Sequence, residues 1–242
     1  MTQEPPPPGS GAHLTFNAPL SSESAARLVV AATAHAPEVI IDHGCGWGTL
    51  LLDILAAVPG ARGTGVDVHG PDIERARAAA ASRGLADRAG FVEGSSSDLT
   101  EAADLLVSIG AFQAFGTVEE ALAALADRLH PGGRLLFGLE YWRSLPTAEE
   151  LALMWEGASI DDCLLLPDLV ELIHGAGWRI LDLHDSTPTE FDAFEVGHLR
   201  EREGWLVDHP DHPVRAEVDR EWSAWLRGRR RSMGFVTMLL AR

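Results

Sequence analysis

Short apolar runs alternate with amphipathic segments through the first 140 residues of the chain. The runs predict five strands, at 39–42, 62–67, 89–93, 105–109 and 134–139. Apolar residues at helical spacing between them predict helices at 21–36, 49–58, 71–82 and 118–129. This alternation is typical of an α/β fold, in which a parallel sheet is covered by helices on both faces.

The second part of the chain has a different pattern. Helices are predicted at 147–155 and 167–176, and strands at 178–183 and 235–240. The stretch 186–232 is polar, contains His, Asp and Pro residues at intervals, and carries several tryptophans. We therefore expect a doubly wound, mostly parallel seven-stranded sheet whose final strand is antiparallel, with a small helical cap.

The two ends of the chain differ in composition from its body. Residues 1–12 are rich in Pro, Gly and Ser and predict a disordered tail, without the apolar middle of a signal peptide. Residues 13–242 are long enough for a single domain with a substantial core. Its core is expected at about 38–140 with 178–184 and 235–240. The cap is expected from 13–36, 141–170 and 186–232.

Charge and composition restrict the partners. The formal net charge of −17 disfavours nucleic acid, because binding a phosphate backbone requires lysines and arginines. No apolar run approaches the roughly 20 residues of a membrane span. Cys45 and Cys163 are interpreted as free thiols of a reducing cytoplasm. Rich use of Ala, Arg and Gly indicates a bacterial source.

The segment 39–48 carries the most specific chemistry. Three apolar residues lead to Asp42, and glycines follow at alternate positions, Gly44, Gly46 and Gly48. This pattern predicts a buried strand, a tight loop and a helix start, where the backbone can approach a ligand closely. Asp67 ends the next strand, about 20 residues on, where an acid can accept two ribose hydroxyls.

Polar residues also follow the third and fourth strands. Ser95, Ser96 and Asp98 come after strand 89–93, where an adenine edge would lie. Ser108 stands near the end of strand 105–109 and faces the reactive end of a ligand. Ligands of open α/β sheets bind beyond the carboxyl ends of the strands, so all these residues are expected at one edge of the sheet.

Four segments in this order and spacing resemble the class I S-adenosylmethionine-dependent methyltransferases. They are Asp-His-Gly-Cys-Gly-Trp-Gly at 42–48, Gly-Val-Asp at 65–67, Phe-Val-Glu-Gly at 91–94 and Leu-His-Pro-Gly-Gly-Arg-Leu at 129–135. The resemblance covers about 38–140. It implies a Rossmann-like core, S-adenosylmethionine as the cofactor and methyl transfer as the activity.

The resemblance also assigns roles within the first loop. Gly44 and Gly46 should pass under the methionine part of the cofactor, and Asp42 should neighbour its amino group. Cys45 is included among the cofactor contacts and is interpreted as a small buried residue rather than a nucleophile. For each of these residues a purely structural role in a turn or cap remains the alternative.

The same resemblance assigns the nucleoside part. Asp67 should hold the ribose and Val68 should lie against the adenine. Ser95 stands where the family often has an acid. The adenine is therefore assigned to Ser95 with Ser96, or to Asp98 further along, and the choice stays open.

Candidates for the acceptor side come from other segments. Glu140 and Tyr141 follow the fifth predicted strand, and Glu140 is a candidate base or a group that orients a cationic substrate; a solvated strand end is the alternative. Phe16 and Asn17 precede the first helix and are candidate contacts of a lid over the cofactor. No metal is expected, because no third ligand accompanies the histidines at 209 and 212.

The function predicted is methyl transfer to an oxygen or nitrogen of a small-molecule acceptor. A protein methyltransferase and a non-catalytic cofactor-binding protein are the alternatives, and the sequence leaves open a monomer or a homodimer. A dinucleotide-dependent oxidoreductase is disfavoured, because its third glycine would fall at Thr49 instead of Gly48.

Overall fold

A seven-stranded sheet organises the computed structural model, which describes residues 4–242. The strands are β1 (Val39–His43), β2 (Arg62–Asp67), β3 (Ala89–Glu93), β4 (Ala103–Ile109), β5 (Leu129–Trp142), β6 (Arg179–Asp185) and β7 (Met233–Ala241). Their order in the sheet is β3-β2-β1-β4-β5-β7-β6.

The pairing of these strands confirms the predicted fold class. β1 pairs in parallel with both β2 and β4, β2 with β3 and β4 with β5, whereas β7 is antiparallel to β6. The chain runs outward in opposite directions from β1 and β4, which places a topological switch point between them. Ligands of doubly wound sheets bind beyond the carboxyl ends of the strands at such a point.

Eight α-helices accompany the sheet within the described residues. They are α1 (Ser22–Thr33), α2 (Thr49–Ala57), α3 (Gly70–Ser82), α4 (Val118–Ala126), α5 (Ala148–Leu151), α6 (Leu166–Gly175), α7 (Pro188–Asp208) and α8 (Arg215–Ser223). A short π-helix, Ala224–Arg229, follows α8. Side-chain caps fix several starts; the Ser21 hydroxyl accepts the Ser24 N–H at the start of α1, for example.

The chain divides into two compact units. The sheet unit comprises Ser21–Leu139, Pro167–Asp185 and Val236–Arg242. The helical unit comprises the residues up to Leu20, Glu140–Leu166 and Ser186–Phe235. The single domain and the cap boundaries given above stay a prediction.

The core of the sheet unit follows directly from its apolar runs. Ile40 and Ile41 of β1 and Leu51, Leu52 and Leu55 of α2 are almost completely buried. Each side chain of this size stabilises the fold by about 1.5–3 kcal/mol when it is fully buried. This packing holds the β1–α2 connection, which carries the glycine loop, on a rigid base.

The helical unit has a smaller core of its own. Leu199, Leu206, Val214 and Val218 pack together, and Trp205 with Trp222 covers them. Within residues 4–242, no helix has the length and apolar character needed to cross a membrane.

The first residues of the predicted tail lie outside the described part, which starts at residue 4. Beyond them, the carbonyl of Pro6 accepts a hydrogen bond from Arg202 at 2.9 Å, and the Ser10 hydroxyl donates to Glu201. Both partners belong to α7. Cys45 and Cys163 are free thiols, as predicted.

Candidate functional site

The loop between β1 and α2 has a backbone that its glycines make possible. Gly44, Gly46 and Gly48 have φ values of 78°, 51° and 73°. In this left-handed region a Cβ would clash with the backbone. The N–H groups of Gly44 and Cys45 both donate to the Val66 carbonyl, at 2.8 and 3.0 Å. The loop is therefore anchored to the end of β2.

Two glycines also allow close approaches. A Cβ on Gly44 would lie 2.2 Å from the Cβ of Ala111, in the loop after β4. A Cβ on Gly65 would lie 2.7 Å from the Sγ of Cys45. Both distances are far below van der Waals contact. Glycine at position 44 therefore lets the loop after β1 meet the loop after β4, and glycine at position 65 lets the same loop meet the end of β2.

Replacing Gly44 with alanine is expected to destabilise the fold by about 2–4 kcal/mol, the sum of a strained backbone and an overpacked contact. Urea unfolding of the purified protein measures this loss. Ala111→Gly in the Gly44→Ala background should restore the part due to the contact, but not the part due to the backbone. Wild-type stability of the single variant would contradict this explanation.

The carboxylate of Asp67 fixes the same loop. Its Oδ2 accepts the Gly46 N–H at 2.8 Å, and its Oδ1 accepts the His69 N–H at 2.9 Å. An ionised carboxylate has about four acceptor positions, so both oxygens can accept further hydrogen bonds. The next side chain, Val68, is 74% exposed and presents an apolar surface at the end of β2.

Asp42 is a buried carboxyl at the end of β1, only 4% exposed. Burial and the negative charge of Asp67 raise the pKa of Asp42 from 3.8 to about 8. A cation placed beside Asp42 would favour its ionised form. Burial, reinforced by Asp42 and Asp67, also raises the pKa of the Cys45 thiol, so this thiol is a poor nucleophile.

The loop after β3 is held by an arginine. Its short 3₁₀ turn, Ser96–Asp98, is capped by the Ser95 hydroxyl, which accepts the Ser97 N–H at 3.3 Å. Arg128 donates to the carbonyls of Ser96 and Ser97, at 3.4 and 2.9 Å. The guanidinium thus fixes the backbone of this turn.

Sequence reasoning missed the aromatic support beneath this arginine. The Arg128 guanidinium lies 5.1 Å from the centre of the Phe115 ring, and the His43 ring meets Phe115 edge to face at 5.4 Å. Burial, and then Arg128, lowers the pKa of His43 to about 4, so its imidazole is neutral; the Ser96 backbone acts in the opposite direction. His43 lies inside the glycine motif, but no local pattern connects it with Phe115 or Arg128.

The remaining candidates lie in different parts of the chain. Glu140 and Tyr141 belong to the helical unit, as do Phe16 and Asn17. Burial raises the pKa of Glu140, and Arg229 opposes that effect. Tyr141 is 2% exposed, Phe16 is buried and Asn17 is exposed. The sheet unit contains the other candidates: Asp42, Gly44, Cys45, Gly46, Asp67, Val68, Ser95, Ser96 and Ser108.

The two histidines considered for a metal have other contacts. The His209 ring stacks on Trp205 at 3.9 Å, and the Nδ1 of His212 accepts the Val214 N–H at 3.2 Å. In the part of the chain from residue 4 onward, no three His, Cys, Asp or Glu side chains are grouped so as to hold a metal ion.

Comparisons with known proteins extend over most of the chain. A family described as "Methyltransferase domain" matches residues 41–135. The uncharacterized protein YjhP of Escherichia coli (strain K12) is 31% identical over 184 residues, which cover 75% of this chain and 74% of YjhP.

Solved structures are similar over a larger part. A SAM-dependent methyltransferase from Geobacter sulfurreducens, in complex with S-adenosyl-L-homocysteine, has a TM-score of 0.85 and 27% identity; the match covers 96% of this chain and 95% of that one. A SAM-dependent methyltransferase from Thiobacillus denitrificans, in complex with the same molecule, has a TM-score of 0.86 and 27% identity, with 96% of both chains covered.

Proposed function

The chain belongs to the S-adenosylmethionine-dependent methyltransferases, and we propose that it methylates an oxygen or nitrogen of a small-molecule acceptor. The observation that carries this proposal is Glu140, a partly buried carboxyl near the end of β5 whose pKa is raised by burial. Such a group can accept the proton of a hydroxyl or an ammonium as the acceptor is methylated. The net charge of −17 disfavours nucleic-acid acceptors.

The residues at the ends of β1 and β2 fit the cofactor. Asp67 retains acceptor positions for the two ribose hydroxyls. Val68 offers an exposed apolar surface for one face of the adenine. The buried Asp42 suits the ammonium group of the methionine part, whose charge would compensate for the cost of ionising this carboxyl.

The glycine loop supports the same assignment. Gly44 and Gly46 have no side chain and take up a left-handed backbone, which lets a ligand approach the loop closely, so we assign the methionine part to this loop. Cys45, whose Sγ packs against Gly65, fixes the shape of the loop. These roles follow from where the residues lie and from the fit of their chemistry to the cofactor.

The adenine is assigned to the loop after β3. Ser95 and Asp98 are the proposed contacts for its edge. Ser96 is buried, and the Ser108 hydroxyl is buried without a hydrogen-bond partner among residues 4–242. We assign these two serines to supporting the site from inside the sheet unit.

When bound, S-adenosylmethionine supplies a methyl group on a positively charged sulfonium. The chain itself must hold the acceptor, exclude water and take up a proton. Glu140 would hold that proton on its carboxylate. The Tyr141 ring packs against Gly234 so closely that a Cβ at that position would lie 2.5 Å from it. We assign Tyr141 the role of holding the backbone next to Glu140 in place. Phe16 and Asn17 are proposed as part of a lid.

Asp42→Asn is expected to weaken S-adenosylhomocysteine binding by about tenfold, because a charge-assisted hydrogen bond to the ammonium group is lost. Calorimetric titration measures the affinity. Asn has nearly the same shape as Asp, so packing around position 42 is retained. Unchanged affinity would remove Asp42 from the site.

The same variant is expected to change the pH dependence of stability. Wild-type Asp42 keeps its proton in the folded state up to about pH 8, whereas it ionises near pH 3.8 in the unfolded state. The unfolded state therefore binds fewer protons over this range, and the free energy of unfolding falls as the pH rises through it. Asp42→Asn lacks this contribution, so urea unfolding at pH 5 and pH 8 should show a smaller decline than in the wild type.

A screen for S-adenosylhomocysteine release tests the proposed function. The panel contains small amines, alcohols and carboxylic acids, with a mixture of unstructured peptides as the competing class. Release with at least one small molecule supports the proposal. Release with the peptides alone, or none with any acceptor despite calorimetric cofactor binding, would contradict it. Two free thiols and the bacterial relatives support a bacterial cytoplasm as the place of this reaction.

A further inference from the structure

The helical unit contains a cavity of about 290 Å³, near the lower size limit of small-ligand pockets, which is about 300 Å³. Glu195 and Leu199 of α7 and Val218 and Glu221 of α8 form two of its walls, and Pro8 with Gly9 forms another. We call it the α7–α8 cavity. None of these residues belongs to the proposed cofactor site.

One arginine lines this cavity, and its charge is already compensated. Arg202 is 8% exposed. Its Nε donates to the Pro6 carbonyl at 2.9 Å, and its Nη1 donates to Glu217 at 3.0 Å. Because Glu217 also lines the cavity, Arg202 and Glu217 together add no net charge to its walls.

Two further carboxylates line the cavity, and only one of them is paired with an arginine. Glu195 pairs with Arg229 at 2.7 Å, yet burial raises its pKa, and the negative charges of Glu221 and Glu140 act in the same direction. Glu221 forms no ion pair with any described residue. His198 also lines the cavity. Apart from its imidazole, the three carboxylates of Glu195, Glu217 and Glu221 are matched by two arginines, so the wall has one carboxylate in excess and would attract a cation.

The rest of the wall is apolar. Leu199 and Val218 belong to the small core of the helical unit and are 9% and 1% exposed. A ligand that fits both features has an apolar body and a positively charged head. An anion would meet repulsion from Glu221, which is an exposed carboxylate, whereas a neutral apolar molecule would gain nothing from its charge.

We propose that the α7–α8 cavity binds a small organic cation, an alkyl- or arylalkyl-ammonium or a guanidinium, with its charge at Glu221 and its apolar body on Leu199 and Val218. The proposal concerns binding in the helical unit. It does not depend on the proposed acceptor chemistry.

Calorimetric titration without cofactor tests this proposal. The probes are 2-phenylethylammonium, n-hexylammonium and n-hexylguanidinium, with 2-phenylethanol and n-hexanol as uncharged analogues of the same apolar bodies. At least one cation should bind, and about tenfold more tightly than its alcohol, since a charge-assisted contact replaces a neutral one. No heat with any of the three cations at millimolar concentration would overturn the proposal, as would equal affinity for cation and alcohol.

A pair of variants on α8 locates the binding. Glu221→Gln is expected to weaken the cation by about tenfold. Asp219→Asn is the matched control, because Asp219 is an exposed carboxylate on the same helix, paired with Arg215 at 3.9 Å, outside the cavity. It should leave the affinity unchanged. An equal loss in both variants would indicate general attraction to an acidic surface and would overturn the assignment to the cavity.

Discussion

Asp67→Ala is expected to reduce the affinity for S-adenosylhomocysteine by at least about 100-fold. Two ribose hydroxyls that bind a charged carboxylate contribute about 1.5–3 kcal/mol each, and about 1.4 kcal/mol corresponds to a tenfold change. Alanine also removes the acceptor for the N–H groups of Gly46 and His69, so the glycine loop loses an anchor. Calorimetric titration measures the change.

Two comparison variants make this result specific. Asp67→Asn keeps the shape and one acceptor oxygen but places an NH₂ group against one of the two backbone N–H donors, so its affinity should lie between wild type and Asp67→Ala. Asp53→Ala removes a carboxylate elsewhere in the sheet unit. In the wild type this carboxylate pairs with Arg83 at 2.8 Å. It should bind like wild type, and equal affinity of Asp53→Ala and Asp67→Ala would contradict the ribose assignment.

The strands of the sheet unit were the most predictable part of the fold. β2 and β3 begin and end at the residues that the apolar pattern predicts, 62–67 and 89–93. Turns with Gly or Pro bound these strands, so the local signal agrees with the tertiary structure. β5 is longer than predicted, Leu129–Trp142 instead of 134–139. Pairing continues across the Pro-Gly-Gly turn because its register on β4 shifts there.

The helical unit was much less predictable. α7 has no distinct apolar face, so the periodicity that predicts amphipathic helices is missing from its sequence. A local signal for its start does exist, since Thr187 and Glu190 form a capping box around Pro188. The helix predicted at 147–155 is shorter in the structure, Ala148–Leu151. A second capping box, formed by Thr147 and Glu150, fixes its start, and turns follow directly after Leu151.

The site shows the same division. The positive φ values at Gly44 and Gly46 and the carboxyls at the strand ends could be predicted, since one stretch of chain determines each of them. The support of Ser96 by Arg128 could not be, because it joins residues far apart in the chain without a periodic pattern. Ala111 is a similar case, since only the folded chain brings its Cβ to Gly44.

Glu140→Gln is expected to slow methyl transfer by about 100-fold or more, the usual contribution of a general base. S-adenosylhomocysteine affinity should be unchanged, because Glu140 is not among the proposed cofactor contacts. Single-turnover kinetics and calorimetry separate the two effects. Glu156→Gln, at an exposed position of the same unit, is the matched control and should retain full activity.

The pH profile distinguishes a base from a structural carboxyl at position 140. Burial raises the pKa of Glu140 above 4.5, while Arg229 lowers it. A base acts in its ionised form, so the wild-type rate should increase with pH through this raised pKa. Arg229→Met removes the opposing cation and should move the increase to higher pH, whereas Glu140→Gln should lack it. If Arg229→Met left the midpoint unchanged, the titration would belong to another group and Glu140 would not be the base.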